Sequence, residues 1–149
     1  MIDNGKRSIL GVDVDVIDYE GAVAKIILAA HKKEPCTVSA LAVHGVMTGA
    51  LDATHKYRLN RFSIVTPDGQ PVRWALRILH GCSLRDRVYG PELTLRICEA
   101  AATYGIGIFL FGASARTTGI GTGHCSHVVG RRRQRRQRRQ RRRWKREWE

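Results

Sequence analysis

The sequence predicts an α/β layered fold with a mostly parallel sheet, and three observations predict it. Short β-rich runs alternate with helical stretches of roughly 10 to 16 residues between residues 8 and 112. The run Ile106-Gly107-Ile108-Phe109-Leu110-Phe111-Gly112 is almost wholly apolar, the texture of a strand covered on both faces. Charge is divided along the chain: residues 131–149 hold 12 basic and two acidic side chains, a net of +10, whereas residues 1–130 stand at only +3. The basic pI of about 10.5 is therefore a property of the tail and not of the nearly balanced region that can build a core.

The elements follow in order. Val12, Val14 and Val16 alternate with Gly11, Asp13 and Asp15, which predicts one half-buried strand over Ser8–Val16. Asp18 is placed to cap a helix whose apolar positions Ala22, Ile26 and Ala29 share a face, and Pro35 closes it. Thr37–Val43 reads as a strand, and residues 44–60 as a single helix with Val46, Met47, Ala50, Leu51 and Ala53 inward. Phe62–Val65 reads as a third strand that enters the turn Thr66-Pro67-Asp68-Gly69, and a helix is predicted from Pro71 to His80. Arg87-Val88-Tyr89 reads as a brief strand, and Gly90-Pro91-Glu92 opens a further helix with Pro in its first turn.

Neither of the longest apolar stretches, residues 26–30 and 106–115, approaches the roughly 18 to 20 residues that cross a bilayer, and no signal-peptide pattern follows Met1. The expected compartment is the cytosol. Cys36, Cys82, Cys98 and Cys125 form no C-x-x-C pair, so a zinc ribbon or disulfide framework is not indicated. His124, Cys125 and His127 form a loose group of metal-ligand types without a fourth member at regular spacing. The spacing of Gly119, Gly121 and Gly123 is not that of a dinucleotide loop.

In a parallel sheet, ligands bind at the carboxyl ends of the strands, which directs attention to the loops after Val43, Val65, Tyr89 and Phe111. Asp68, between Thr66 and Gly69-Gln70, is a carboxylate held in a strand-to-helix turn. Two readings stand: a general base at the sheet edge, or a turn residue bonded to its own backbone. Gly90, Pro91 and Glu92 place a helix start, with its partial positive charge, near the guanidinium of Arg87, an arrangement suited to phosphate and equally to an ordinary capped helix. Gly112 lies in a small-residue loop after the apolar run, and His44 follows a strand as either a ligand contact or a packed histidine.

Five stretches carry a resemblance: Ile9-Leu10-Gly11-Val12-x-Val14-Asp15, Leu41-Ala42-Val43-His44-Gly45-Val46-Met47, Val65-Thr66-Pro67-Asp68-Gly69-Gln70-Pro71-Val72-Arg73-Trp74, Asp86-Arg87-Val88-Tyr89-Gly90-Pro91-Glu92-Leu93, and Ile108-Phe109-Leu110-Phe111-Gly112. In this order and spacing they resemble the WecB/TagA/CpsF glycosyltransferase family over about residues 8–115. The resemblance implies a Rossmann-like fold and an inverting hexosyltransferase with no required metal or other cofactor. It implies transfer of an N-acetylmannosamine-type sugar from a UDP donor to a polyprenyl-diphosphate-linked acceptor in cell-envelope or exopolysaccharide synthesis. By the same resemblance Asp68 is the base, and His44, Thr66, Gly69, Gln70, Arg87, Gly90, Pro91, Glu92 and Gly112 line the substrate pocket. Ala40 and Ala42 stand where many members carry Thr and Asn. Peripheral contact with the inner face of the cell membrane is also implied.

The expected organisation is a transferase-like domain over 1–115, a Gly/Ser/Thr-rich linker over 116–130, and a disordered or conditionally helical Arg-rich tail over 131–149. The motifs stop near Ser114, so the α/β fold is expected to be incomplete on its C-terminal side. On the alternative expectation, the Arg/Gln tract is a product of a shifted reading frame and the chain an inactive fragment. The tail is also expected to bind polyanions such as RNA or anionic membrane through its arginines, with Trp144 and Trp148 available for stacking.

Overall fold

A computed structural model describes residues 1–109. The chain divides into two compact units, Met1–Ile97 and Cys98–Glu149. The first carries the elements that matter for the site. Two strands, β1 (Asp3–Ile9) and β2 (Val12–Ile17), lead into helix α1 (Tyr19–Lys32), then β3 (Val38–Leu41), α2 (Val43–Leu51), α3 (Ala53–Asn60), β4 (Ile64–Pro67) and α4 (Gln70–His80). Helix α5 (Gly90–Thr103) begins in the first unit.

The segment 8–16, expected as one strand, runs through the turn of an antiparallel hairpin, from the end of β1 into β2. Ile9 pairs with Val12 across a two-residue turn in which Leu10 and Gly11 both have positive φ, 52° and 84°. Such a turn matches the natural twist of paired strands, but Leu at its first position lacks the Asn-Gly signature that announces it. β1 is polar and mostly exposed except at Ile9, an edge strand that leaves no hydrophobic pattern to read.

β2 is more buried than its alternation suggests. Val12, Val14 and Val16 enter one hydrophobic cluster with Leu41, Val65 and Leu76, while Ile17 joins a second with Ala22, Val88 and Leu93. Asp15, on the face expected to meet solvent, is 2% exposed because β2 lies against β4. Its Oδ2 accepts the backbone N–H of Val65 at 2.7 Å. Burial pushes the Asp15 carboxyl up from its ordinary range, and the bond from Val65 and the charges of Lys6 and Lys25 oppose that shift.

β3 and β4 pair in parallel, with Val38 opposite Ile64 and Leu41 opposite Pro67. With α2 and α3 between them in sequence they form a β–helix–β unit, and the described residues make a mixed α/β arrangement with one antiparallel and one parallel pair and no closed barrel. The helix expected over 44–60 is two. Asp52 adopts an extended conformation (φ −117°, ψ 113°), ends α2, and caps α3 by accepting the N–H groups of Thr54 and His55 at 2.8 and 3.2 Å. A side chain that satisfies two helix-start donors outweighs continued apolar periodicity.

Asp18 caps α1 as expected, its Oδ1 accepting from Gly21 at 2.8 Å. α4 spans the predicted stretch, and Gly81 ends it in the left-handed conformation. Arg87–Tyr89 forms no strand. A single bond, from the Val88 N–H to the Pro67 carbonyl at 3.0 Å, is all that joins it to β4. Residues 106–109 carry no strand either, and 110–112 lie outside the described residues.

The Asp15 contact yields a pH-dependent prediction. A carboxyl raised in the folded state keeps its proton where the unfolded chain has lost it, so this contribution is complete below the unfolded pKa of about 3.9 and is lost as pH rises through the folded value. Asp15→Asn retains an acceptor for Val65 without the buried charge, so its stability relative to wild type increases from acid to neutral pH. Asp15→Ala strands the Val65 N–H and is less stable than Asp15→Asn by about 1–3 kcal/mol. Urea denaturation of the three proteins at pH 4 and pH 7 measures both effects.

Candidate active site

The parallel register makes β3 and β4 end together, so the chain leaves both at one edge. The Asp68 N–H continues the ladder by one bond, to the Leu41 carbonyl at 3.1 Å. Gly69 then takes φ 113° and ψ 148°, a conformation essentially confined to glycine, and α4 starts at the next residue. Asp68 is thus fixed by a ladder bond on one side and a glycine corner on the other.

Across from it, α5 begins. The Val88 to Pro67 bond draws the segment before α5 against the end of β4, and the Gly90 N–H points at Asp68 Oδ2 across a long 3.4 Å bond. A Cβ built on Gly90 would stand 3.2 Å from the Cβ of Ala40 and 3.9 Å from Asp68 Oδ2, so the close approach depends on the missing side chain. Asp68 is partly exposed, and among the described residues its Oδ1 takes no hydrogen bond. One carboxylate oxygen is held by a helix start and the other is open, a geometry suited to accepting a proton from a bound hydroxyl.

Aromatic and cationic groups flank this corner. The Tyr89 N–H donates to the Tyr19 hydroxyl at 2.9 Å. The Arg96 guanidinium lies 4.3 Å from the centre of the Tyr19 ring and donates through Nε to Glu92 Oε1 at 3.3 Å. Arg87 stands exposed over the Tyr89 ring at 5.0 Å.

The residues singled out in the sequence do not all converge. Asp68, Gly69, Gln70 and Gly90 come together at the strand ends, with Pro91 and Glu92 in the first turn of α5 and Arg87 just before it. Gln70 Oε1 is buried without a partner among the described residues. Thr66 is fully buried, its hydroxyl 3.5 Å from the Ser39 carbonyl, so it supports the sheet beneath the corner. His44 is exposed on the first turn of α2, and no contact joins its side chain to Asp68 among the described residues. Gly112, the 119–123 glycines and the 124–127 His/Cys group lie outside the described residues. Among those described, no three His, Cys, Asp or Glu side chains gather as a metal site.

Tyr19 and Arg96 were not anticipated. Tyr19 follows the carboxyl end of β2, a strand end whose loop the sequence did not bring forward.

The model of the glycosyl transferase WecG/TagA/CpsF family matches residues 7–125. The chain belongs to that family. The match takes in the hairpin turn and β2, the Asp68 corner and the start of α5, and reaches beyond Ser114, where the recognisable motifs end. The protein is therefore a glycosyltransferase by family, with a strand-edge carboxylate inside the matched region. A search of curated proteins gave no match.

The contact between Gly90 and Ala40 is open to test in this transferase. Gly90→Ala crowds Ala40 and, after the gain of up to about 1 kcal/mol from replacing a helical glycine, costs about 1 kcal/mol net. Ala40→Gly in the same chain recovers that loss. Urea denaturation of the double-mutant cycle decides it, and equal effects of Gly90→Ala in both backgrounds would show that the two positions do not touch.

Proposed function

We propose that this transferase moves an N-acetylmannosamine-type sugar from a UDP donor to a polyprenyl-diphosphate-linked saccharide, with inversion at the anomeric carbon and Asp68 as general base. The observation that carries this reading is Asp68 itself, with Oδ2 turned to the Gly90 N–H and Oδ1 open at the edge of the parallel pair. The acceptor hydroxyl gives its proton to the Asp68 carboxylate as its oxygen attacks the anomeric carbon. The bond from that carbon to the β-phosphate oxygen breaks, and UDP leaves with the electron pair. No metal or other cofactor is assigned to the step.

The same reading gives the diphosphate to Arg87, with Gly90, Pro91 and Glu92 forming the adjoining wall of the pocket, and gives the sugar to Gly69, Gln70 and Gly112. The buried Gln70 amide oxygen supports a role for that side chain, because an unpartnered buried acceptor costs free energy that a ligand hydroxyl would recover. His44, at the same edge on α2, is assigned to the acceptor side. The transferase region is taken as residues 1–115, followed by a linker over 116–130 and the tail over 131–149. The site would work at the cytoplasmic face of the cell membrane, where a lipid-linked acceptor is found.

Incubation with UDP-N-acetylmannosamine and a polyprenyl-diphosphate-linked N-acetylglucosamine is expected to release UDP. Asp68→Asn is expected to lower that rate about 10²- to 10⁴-fold, the usual contribution of a positioned base. A variant with an unchanged melting curve and undiminished release would remove Asp68 from the role.

A second activity is favoured by the composition of residues 131–143, which are Arg and Gln alone. Such a tract neutralises phosphates and binds polyanions without sequence preference. Deleting residues 131–149 should abolish salt-sensitive RNA binding in a filter assay and leave UDP-sugar binding intact; RNA binding that survives the deletion assigns it elsewhere.

A further inference from the structure

α4 is apolar on two sides, and the core uses only one. Val72 and Leu76, one turn apart, are buried at 2% and 0% exposure. Trp74 and Ile78, also one turn apart, point the opposite way and are 54% and 80% exposed, whereas Leu79 follows the Val72–Leu76 side at the helix end. Between these sides lie Arg73 and the exposed Arg77, with His80 at the helix end. Residues 70–80 contain no Asp or Glu, and among the described residues neither guanidinium forms an ion pair. Arg73 donates instead to the Arg85 carbonyl at 2.8 Å.

Three kinds of surface can cover exposed apolar side chains: a protein partner, a second copy, or lipid. A second copy set against the same face would bring Arg77 towards Arg77. Two part-exposed side chains also fall well short of the roughly 800 Å² that each partner of a stable complex buries. Outward apolar groups with Trp among them, flanked only by cations, instead match the interface of an anionic bilayer, where Trp resides at headgroup depth and Arg meets lipid phosphate. No helix of the described residues is long and apolar enough to cross a membrane, and α4 would lie in the interface plane.

We infer that the outer face of α4, built on Trp74 and Ile78 with Arg73 and Arg77 at its side, docks on the surface of an anionic lipid bilayer. α4 begins two residues after Asp68, so docking along its outer face holds the candidate active site beside the membrane, where a lipid-linked hydroxyl is presented. For that biological setting the inference rests on the acceptor reading above, but its physical test involves no sugar transfer.

The Arg-rich tail will also attract vesicles, so the readout must come from α4 itself. In the full chain carrying Trp144→Phe and Trp148→Phe, Trp74 is the sole tryptophan. With vesicles of phosphatidylcholine and phosphatidylglycerol, Trp74 emission should shift to the blue and be quenched by lipids brominated on their acyl chains, whereas pure phosphatidylcholine should give neither effect. Ile78→Glu, at an exposed position, should leave the melting curve unchanged and weaken vesicle binding about tenfold or more at a salt concentration that screens the tail. Vesicle-bound protein with unshifted, unquenched Trp74 emission would overturn the inference, because the tail alone would then hold the chain. Trp74 emission that is already blue-shifted without lipid, follows protein concentration and is abolished by Ile78→Glu would overturn it in favour of a second copy. Asp68→Asn should not alter the quenching, so a failure of the transfer reading and a failure of docking give different results.

Discussion

β4 delivers the candidate base, and its position depends on one buried hydrogen bond. Alternate residues of a strand direct their backbone groups to opposite sides, so Ile64, Thr66 and Asp68 address β3 while Val65 and Pro67 address the other flank. Two of those bonds are the Ile64 N–H to Thr37 and the Asp68 N–H to Leu41. On the far flank Pro67 has no N–H to satisfy and its carbonyl takes the Val88 N–H, which leaves the Val65 N–H. The Asp15 carboxylate takes it, and so ties the hairpin to the parallel pair without a second backbone ladder. An apolar residue at Asp15 would fit the valine-rich cluster around it but would leave a buried donor unpaired, the costlier outcome.

From that anchored strand the site follows by short covalent steps. Asp68 is the first residue past β4, and Gly69 turns the chain so that α4 leaves immediately. α5 reaches the same corner through the Val88 bond and the missing side chain of Gly90. The two hydrophobic clusters divide along β2, which contributes valines to one and Ile17 to the other, so the strand that supplies Asp15 also ties the α5 start (Leu93) to the β3–β4 side (Leu41, Val65). A change in β2 is therefore felt at Asp68 although no residue of β2 touches substrate in the proposed reaction.

Much of this was legible in the sequence, for identifiable reasons. The Thr66-Pro67-Asp68-Gly69 turn, the Gly81 stop and the Asp18 cap are local signals, carried by residue types whose backbone preferences act within a few positions. The α5 start was legible from Gly90-Pro91, but its contact with Asp68 was not, because that contact joins residues 22 apart. The burial of Asp15 was hidden for the same reason: alternation reports which side of a strand is polar, not what later packs on it. The β1 strand and the break at Asp52 were missed because an exposed edge carries no apolar period and a single cap sat inside a convincing one. Tyr19 and Arg96 entered the site only through the packing of α1 against the segment that leads into α5.

The start of α5 also limits how the proposed reaction distributes charge. A helix start can offer its first N–H groups to an anion, but here the Gly90 N–H is directed at Asp68, Pro91 has none, and the Leu93 N–H closes the first helical turn on the Tyr89 carbonyl at 2.9 Å. A leaving diphosphate therefore finds little of the donor cluster that a helix N-terminus ordinarily supplies. Its charge falls instead to side chains, and among the described residues Arg87, exposed over the Tyr89 ring just before the helix, is a cation placed for that role. In the proposed reaction, then, the backbone of α5 orients the base, and the guanidinium before it bears the charge of the departing group.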